Sequence, residues 1–149
     1  MYNSLMPDFK FFHPIEVRYA DLDPQGHVNN AKYLTYIEQA RTQYVRRLGL
    51  WPGGSFLDIG IILADVQMTF KSPITFGQAV RVWTRVSQIG NKSFKMEYFL
   101  EDEADGKELA SGETVMVTFD YHTGKTIPVP EKWREAIVDF EGLGNGAGT

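Results

Sequence analysis

Residues Tyr19 to Arg41 read YADLDPQGHVNNAKYLTYIEQAR, an acidic turn running straight into a helix. Ala20–Gly26 is rich in Asp, Pro and Gly and reads as a turn or loop. From Asn30 to Leu48 the pattern changes. Tyr33, Leu34, Ile37, Ala40, Arg41, Tyr44, Val45 and Leu48 recur at three- and four-residue steps and predict one helical stripe. Asn29 is a good N-cap and Gly49 a good C′ residue, so both ends carry stop signals. Such a helix is roughly 28 Å long at 1.5 Å per residue, enough to cross a small sheet.

The flanks predict strands. Ile15, Val17 and Tyr19 alternate with Glu16 and Arg18 ahead of the turn. After the helix and a Trp51–Ser55 loop come four β-like segments. Ala64, Val66, Met68 and Phe70 form one alternating apolar set, and Val80, Val82 and Val86 the next. Phe94, Met96, Tyr98 and Leu100 form a third, and Leu109–Tyr121 is rich in the Val, Thr and aromatic residues that strands favour. Gly90-Asn91 and Asp105-Gly106 suit tight hairpin turns, so the last three strands should make an antiparallel meander. Pro128 and Pro130 end the sheet, and Glu131–Phe140 reads as a short amphipathic helix. The expected product is a single α+β domain over residues 1–141, with a flexible Gly-rich tail over 142–149.

Composition narrows the function. The chain has 149 residues, 43% of them hydrophobic and 13% aromatic, enough for one folded core. Cysteine is absent, which removes disulfide scaffolds, thiol nucleophiles and Cys-ligated metals, and fits a reducing cytoplasm. A net charge of −4 argues against a general nucleic-acid binder. No apolar run approaches the ~20 residues of a membrane span, and the first residues do not read as a secretory signal.

The acidic turn carries the chemistry. It puts Asp21, Asp23, His27, Asn29 and Asn30 just before a long helix. The first N–H groups of a helix have no internal partner and sit at the positive end of its dipole, where they polarise a carbonyl. A carboxylate opposite that end acts as base or nucleophile on the same carbonyl. Ordinary turn and cap chemistry accounts for the same residue types, so on physics alone the segment leaves both readings open.

Asp21, Asp23, Gly26, Tyr33, Glu38 and Arg41 together resemble the signature of hotdog-fold acyl-CoA thioesterases of the 4-hydroxybenzoyl-CoA thioesterase type. The resemblance covers Phe9–Tyr121 and implies a long central helix wrapped by a five-stranded antiparallel sheet. It implies that Asp23 is the catalytic carboxylate and that the backbone amide near Asn30 polarises the thioester carbonyl. Gly26 would let the chain approach the thioester, and Tyr33 would contact the substrate. No cofactor or metal is implied. The partners implied are an acyl-CoA substrate and a second or fourth copy of the chain, with the sheet continued from one copy to the next.

His27–Asn30, His-Val-Asn-Asn, instead resembles acyl-acyl carrier protein thioesterases, also hotdogs. His27 matches their catalytic histidine, while Gln25 stands where they have Asn. The carrier is therefore coenzyme A or acyl carrier protein, and His27 either takes part in catalysis or positions the turn. Lys71 and Ser72, and Lys92 and Ser93, are candidates for coenzyme A phosphate contacts or plain strand-end polarity. Glu38 and Arg41 read as a structural ion pair, Asp65 as solvated strand surface, and the face of Arg81, Trp83 and Arg85 as solvent or an oligomer contact. A non-catalytic acyl-carrier binding module is the competing function; the motif of hotdog hydratases is missing.

Overall fold

The computed structural model describes residues 8–51, 57 and 59–144. Strand β1 (Phe12–Glu16) leads through a 3-10 turn (Tyr19–Asp21) to helix α1 (Asn30–Arg47). Strands β2 (Gly60–Phe70), β3 (Ala79–Ile89), β4 (Ser93–Asp102), β5 (Glu108–Asp120) and β6 (Lys125–Thr126) follow, then helix α2 (Glu131–Glu141). The sheet order is β1-β3-β4-β5-β2, with β6 beside β5. Thus β3, β4 and β5 are sequential neighbours, as their tight turns predict. Strand β1 runs antiparallel to β3, with Phe12 opposite Trp83 and Ile15 opposite Val80.

The first strand lies earlier than its alternation suggests. It stops at Glu16 because the Arg18 N–H is taken by the Asp21 carboxylate (3.0 Å), which starts the 3-10 turn and leaves Tyr19 81% exposed. Pro14 fits inside β1 because an edge strand has one side without a ladder. Strand β6 adds two residues to the expected five strands, pairing Phe119 with Thr126 and Asp120 with Lys125. Lys-Thr has no apolar alternation to announce it.

Contacts group the chain into two compact units, to both of which α1, β2, β3, β4 and β5 contribute. The first unit comprises residues 8–43, 68–84 and 98–112. Its buried residues include Ile15, Val28, Tyr33, Tyr36, Ile37, Ala40, Ile74, Val80, Val82 and Leu100. Arg41 donates to the Tyr98 hydroxyl at 3.1 Å, joining α1 to β4. Trp83 is 5% exposed, so this part of the odd β3 face is not solvent: its indole N–H meets Glu101 at 2.7 Å and its ring packs on Phe12. Arg81 stacks over that Phe12 ring and pairs with Glu103.

The second unit comprises residues 44–51, 57, 59–67, 85–97 and 113–144. Tyr44, Val45, Val86, Ile89, Phe94, Met96, Met116, Trp133 and Ile137 are buried in it. Arg85 pairs with Glu97 and Lys95 with Glu113, giving the sheet a charged face here. Helix α2 ends at Gly142 in the left-handed region (φ 71°), and its last residue, Glu141, accepts from the Tyr44 hydroxyl at 2.5 Å and from the Val86 N–H at 3.1 Å. Burial pushes the Tyr44 phenol well up, and the Glu141 carboxylate beside it adds to the shift. The Gly-rich tail from residue 145 onward and most of the Trp51–Ser55 loop lie outside the described residues.

Two expected faces differ from the observed ones. Leu34, read into the helical stripe, is 40% exposed, whereas Tyr36, not read into it, is buried. Ala64 and Phe70 of β2 are exposed and Val66 and Met68 half-buried, although all four were expected to face inward. The reason is position: β2 ends the strand order, with only β5 beside it.

Candidate active site

The acidic turn folds into a small hairpin tied to the start of α1. Leu22 bridges Val28 antiparallel, the Asn29 N–H meets the Asp21 carbonyl at 2.9 Å, and the Asp23 N–H meets the His27 carbonyl at 2.7 Å. Gly26 closes the tip, its N–H on the Asp23 carbonyl at 2.9 Å. Its φ of +80° is costly for a residue with a Cβ, although a Cβ there would meet no other group within 4 Å. Backbone conformation alone therefore calls for glycine here. The hairpin docks onto the segment after β2: Val28 N–H meets the Ile74 carbonyl at 2.8 Å, and His27 bridges Thr75.

That docking creates an open cavity of about 340 Å³. Six of the residues singled out from the sequence line it: Asp23, His27, Asn30, Tyr33, Lys71 and Ser72. Gln25, Val28, Phe70 and Pro73 complete the lining. Phe70 was the least legible of these, because its place at the end of an alternating strand marks it as core. In fact it is 45% exposed and stands edge-on to the buried Tyr33 ring, centroids 4.9 Å apart. Lys92 and Ser93 are not among the lining residues; they follow the β3–β4 turn in the second unit, where the Lys92 carbonyl accepts from Thr118. Asp65 is exposed on β2.

Asp23 is held by half of its carboxylate. Oδ1 accepts the Gln25 N–H (2.9 Å) and the His27 N–H (3.2 Å), while Oδ2 has no hydrogen-bond partner among the described residues. Asn29 caps α1, its Oδ1 accepting the Ala31 N–H at 2.9 Å. The Asn30 N–H, first of the helix, has no partner among the described residues. The His27 imidazole is half-buried, likewise without a hydrogen-bond partner among the described residues. Lys71 is exposed, and its N–H and that of Ser72 share the Leu109 carbonyl. Burial raises the Tyr33 phenol, against a weaker opposing hydrogen bond with the Ile74 backbone.

Asp21 is a different kind of carboxylate. It is 1% exposed, is not part of the lining, and has both oxygens occupied. Oδ2 accepts from the Arg18 N–H and from the Tyr36 hydroxyl at 2.8 Å; Oδ1 accepts from the Arg18 guanidinium at 3.1 Å. Burial alone would raise its carboxyl, but these bonds outweigh burial and hold it below the ordinary carboxylate range. Tyr36 is pushed well up in turn, by burial first and by the Asp21 charge next. Glu38 is exposed and makes no ion pair with Arg41, which reaches Tyr98 instead.

Among the described residues no cluster of His, Cys, Asp and Glu has the makings of a metal site, and no helix is long and apolar enough to cross a membrane. The arrangement offers one half-free carboxylate, one unpaired helix-start N–H and one free imidazole around an open cleft. That set suits attack on a polarised carbonyl.

Comparison with known proteins places the chain among thioesterases. A model of the thioesterase-like superfamily matches residues 17–137. A thioesterase of Thermus thermophilus, solved in complex with coenzyme A and zinc, is 34% identical, with 92% of this chain and 98% of that one covered at a TM-score of 0.79. The long-chain acyl-CoA thioesterase FadM of Escherichia coli is 24% identical over 83% of this chain and 93% of its own length. A chloroplastic acyl-acyl carrier protein thioesterase of Arabidopsis thaliana is 23% identical over 87% of this chain and 69% of its own length. The α+β fold implied by the sequence signature, the hotdog, is the one observed.

Proposed function

The chain belongs to the thioesterase-like superfamily and is a thioester hydrolase; on that premise we propose that it hydrolyses an acyl-CoA to the free acid and coenzyme A in the cleft between Asp23 and the start of α1. The observation that carries this reading is the half-engaged Asp23 carboxylate lining the same cavity as Asn30, whose N–H has no partner among the described residues. The similarity to a thioesterase holding coenzyme A favours that carrier. Lys71 and Ser72, at the rim, are the residues suited to its phosphates; Lys92 and Ser93 fall outside this cavity. Phe70, exposed and edge-on to the buried Tyr33 ring, offers apolar surface to the acyl group.

In this reading the Asn30 N–H holds the carbonyl oxygen as it gains charge. Asp23 Oδ2 either takes a proton from an attacking water or attacks the carbon itself, giving a mixed anhydride that water then opens. In both routes a C–O bond forms, the C–S bond breaks and the thiolate leaves. A thiol pKa near ~8.5 means that departure needs little acid help. His27 is placed to hold water or to pass the proton to the thiolate. The absence of cysteine suits a reducing cytoplasm, where we place the reaction.

A second copy of the chain belongs to this proposal. Strand β2 is an 11-residue edge with exposed Leu63, Ala64 and Phe70, and edges of that length are normally paired or covered. Pairing β2 with β2 of another copy continues the sheet and brings foreign residues close to Phe70.

The test is a panel of acyl-CoA and acyl-carrier-protein thioesters, short, long and aromatic, on wild type and Asp23→Asn. The variant should lose ~10²–10⁴-fold in kcat with its fold intact. Wild-type turnover in Asp23→Asn rejects the assignment. Binding without turnover in the wild type marks a carrier-binding module instead, and turnover of carrier-protein thioesters alone moves the activity to that carrier. Single turnover in heavy-oxygen water tests the anhydride route, since label enters Asp23 only when water opens an anhydride at the Asp23 carbonyl carbon.

A further inference from the structure

We propose that Tyr36 is a positioning residue for hydrolysis, acting through Asp21 to set the Asp23 hairpin against the start of α1. The proposal rests on the reading of the Asp23–Asn30 cleft given above.

Tyr36 is not among the residues lining the cleft; its ring lies behind that of Tyr33, centroids 6.4 Å apart. It lies nearly two turns into α1, buried, with its hydroxyl on Asp21 Oδ2 at 2.8 Å. Asp21 stands at the base of the hairpin. Its carboxylate takes the Arg18 N–H on one side, and its carbonyl takes the Asn29 N–H on the other. Asn29 is the residue before Asn30, and it caps the helix through Ala31. The hairpin between them is closed on itself by the Asp23–His27 bonds, so it can only move as a body. Its base is therefore the pivot, and the Tyr36 hydroxyl is a side-chain bond from the body of the helix to that pivot.

The remaining bonds to the Asp21 carboxylate come from Arg18, which belongs to the strand side of the turn rather than to the helix. The Arg18 side chain is 62% exposed, so water competes for it. Without the Tyr36 hydroxyl the hairpin keeps its internal shape and loses a side-chain bond that registers it on α1. The quantity that suffers is the relation between Asp23 Oδ2 and the Asn30 N–H, which matters in the transition state. Displacements near 1 Å cost on the order of 10²-fold in rate. Substrate binding relies on surfaces that Tyr36 does not form.

Tyr36→Phe keeps the buried ring and deletes the bond. Steady-state kinetics on the best acyl-CoA should show kcat lowered about tenfold with KM within about twofold, the split expected when only the transition state is affected. Amide hydrogen exchange at Asn29 should quicken in the same protein, which a change in bulk stability alone would not confine to this site. Asp21→Asn, with the ring untouched, should lower kcat at least as much. The double variant should lose no more than Asp21→Asn alone, because both act through one bond. Wild-type kcat in Tyr36→Phe, unchanged exchange at Asn29, or losses that multiply in the double variant would each overturn the proposal. Asp23→Asn is run beside them. If it is inactive while Tyr36→Phe is unimpaired, the positioning role alone falls; if it is fully active, the reading of the cleft falls first.

Discussion

Replacing Asp21 by asparagine should destabilise the fold in a pH-dependent way. The carboxylate is buried and receives three hydrogen bonds, from the Arg18 N–H, the Arg18 guanidinium and the Tyr36 hydroxyl. Hydrogen bonds to a charged group contribute ~1.5–3 kcal/mol each. The guanidinium bond counts for less, under about 1 kcal/mol, because the Arg18 side chain is mostly exposed. Asparagine keeps one acceptor oxygen for one of the donors, so the expected loss is about 2–3 kcal/mol at neutral pH. For a chain of this size that lowers Tm by roughly 4–12 °C. The Asp21 carboxyl is held below its ordinary value in the folded protein, so as pH falls the unfolded chain binds the proton first. Its contribution is therefore complete above about pH 5 and drains away as pH drops through the folded-state value. Urea unfolding followed by tryptophan fluorescence, at one fixed protein concentration, measures the gap between wild type and variant at pH 7 and near pH 3. A gap equally wide at both would refute the assignment of Asp21 as a charged hub.

Two further outcomes follow from the geometry. Gly26→Ala, with φ at +80° and no clash to relieve, should cost about 1 kcal/mol, read as a small Tm decrease; a neutral result would mean that the hairpin tip relaxes freely. Light scattering on a column should give a mass of two or four chains, and activity should fall on dilution. A monodisperse mass near 16.9 kDa in a fully active sample would rule out pairing through β2 as a requirement.

Much of this was legible in the sequence because local chemistry and fold agree. The 3.6-residue stripe placed α1 correctly from Asn30, and Phe94, Met96, Tyr98 and Leu100 all point inward as their alternation demands. The acidic turn was legible as a turn and helix cap from its Asp, Gly and Asn residues, and as a candidate site only through the family signature it resembles. What escaped depends on partners distant in the chain. Tyr36 looks like any helical tyrosine until Asp21, fifteen residues earlier, is brought to its hydroxyl. Trp83 sits on a face that alternation gives to solvent, and Phe12 and Glu101 reverse that. Phe70 and its strand carry a core-like pattern at an edge. Periodicity reports which face a residue takes, and cannot report whether another element covers that face.

The two rims of the sheet are treated unequally. Along β3, the Thr84 N–H goes to the Phe11 carbonyl, and two residues on the Val86 N–H goes to the last carboxylate of α2. The backbone that short β1 leaves bare is thus stoppered by Glu141, and on that rim a foreign strand finds these donors already spoken for. Strand β2, at the opposite rim, has no such stopper among the described residues. Of the two rims, β2 presents the longer edge, 11 residues against the five of β1. Removing the Glu141 carboxylate would uncover the Val86 N–H and lengthen the edge that β1 already presents on its rim. The final turn of a small C-terminal helix thereby sets how long one edge of the sheet is.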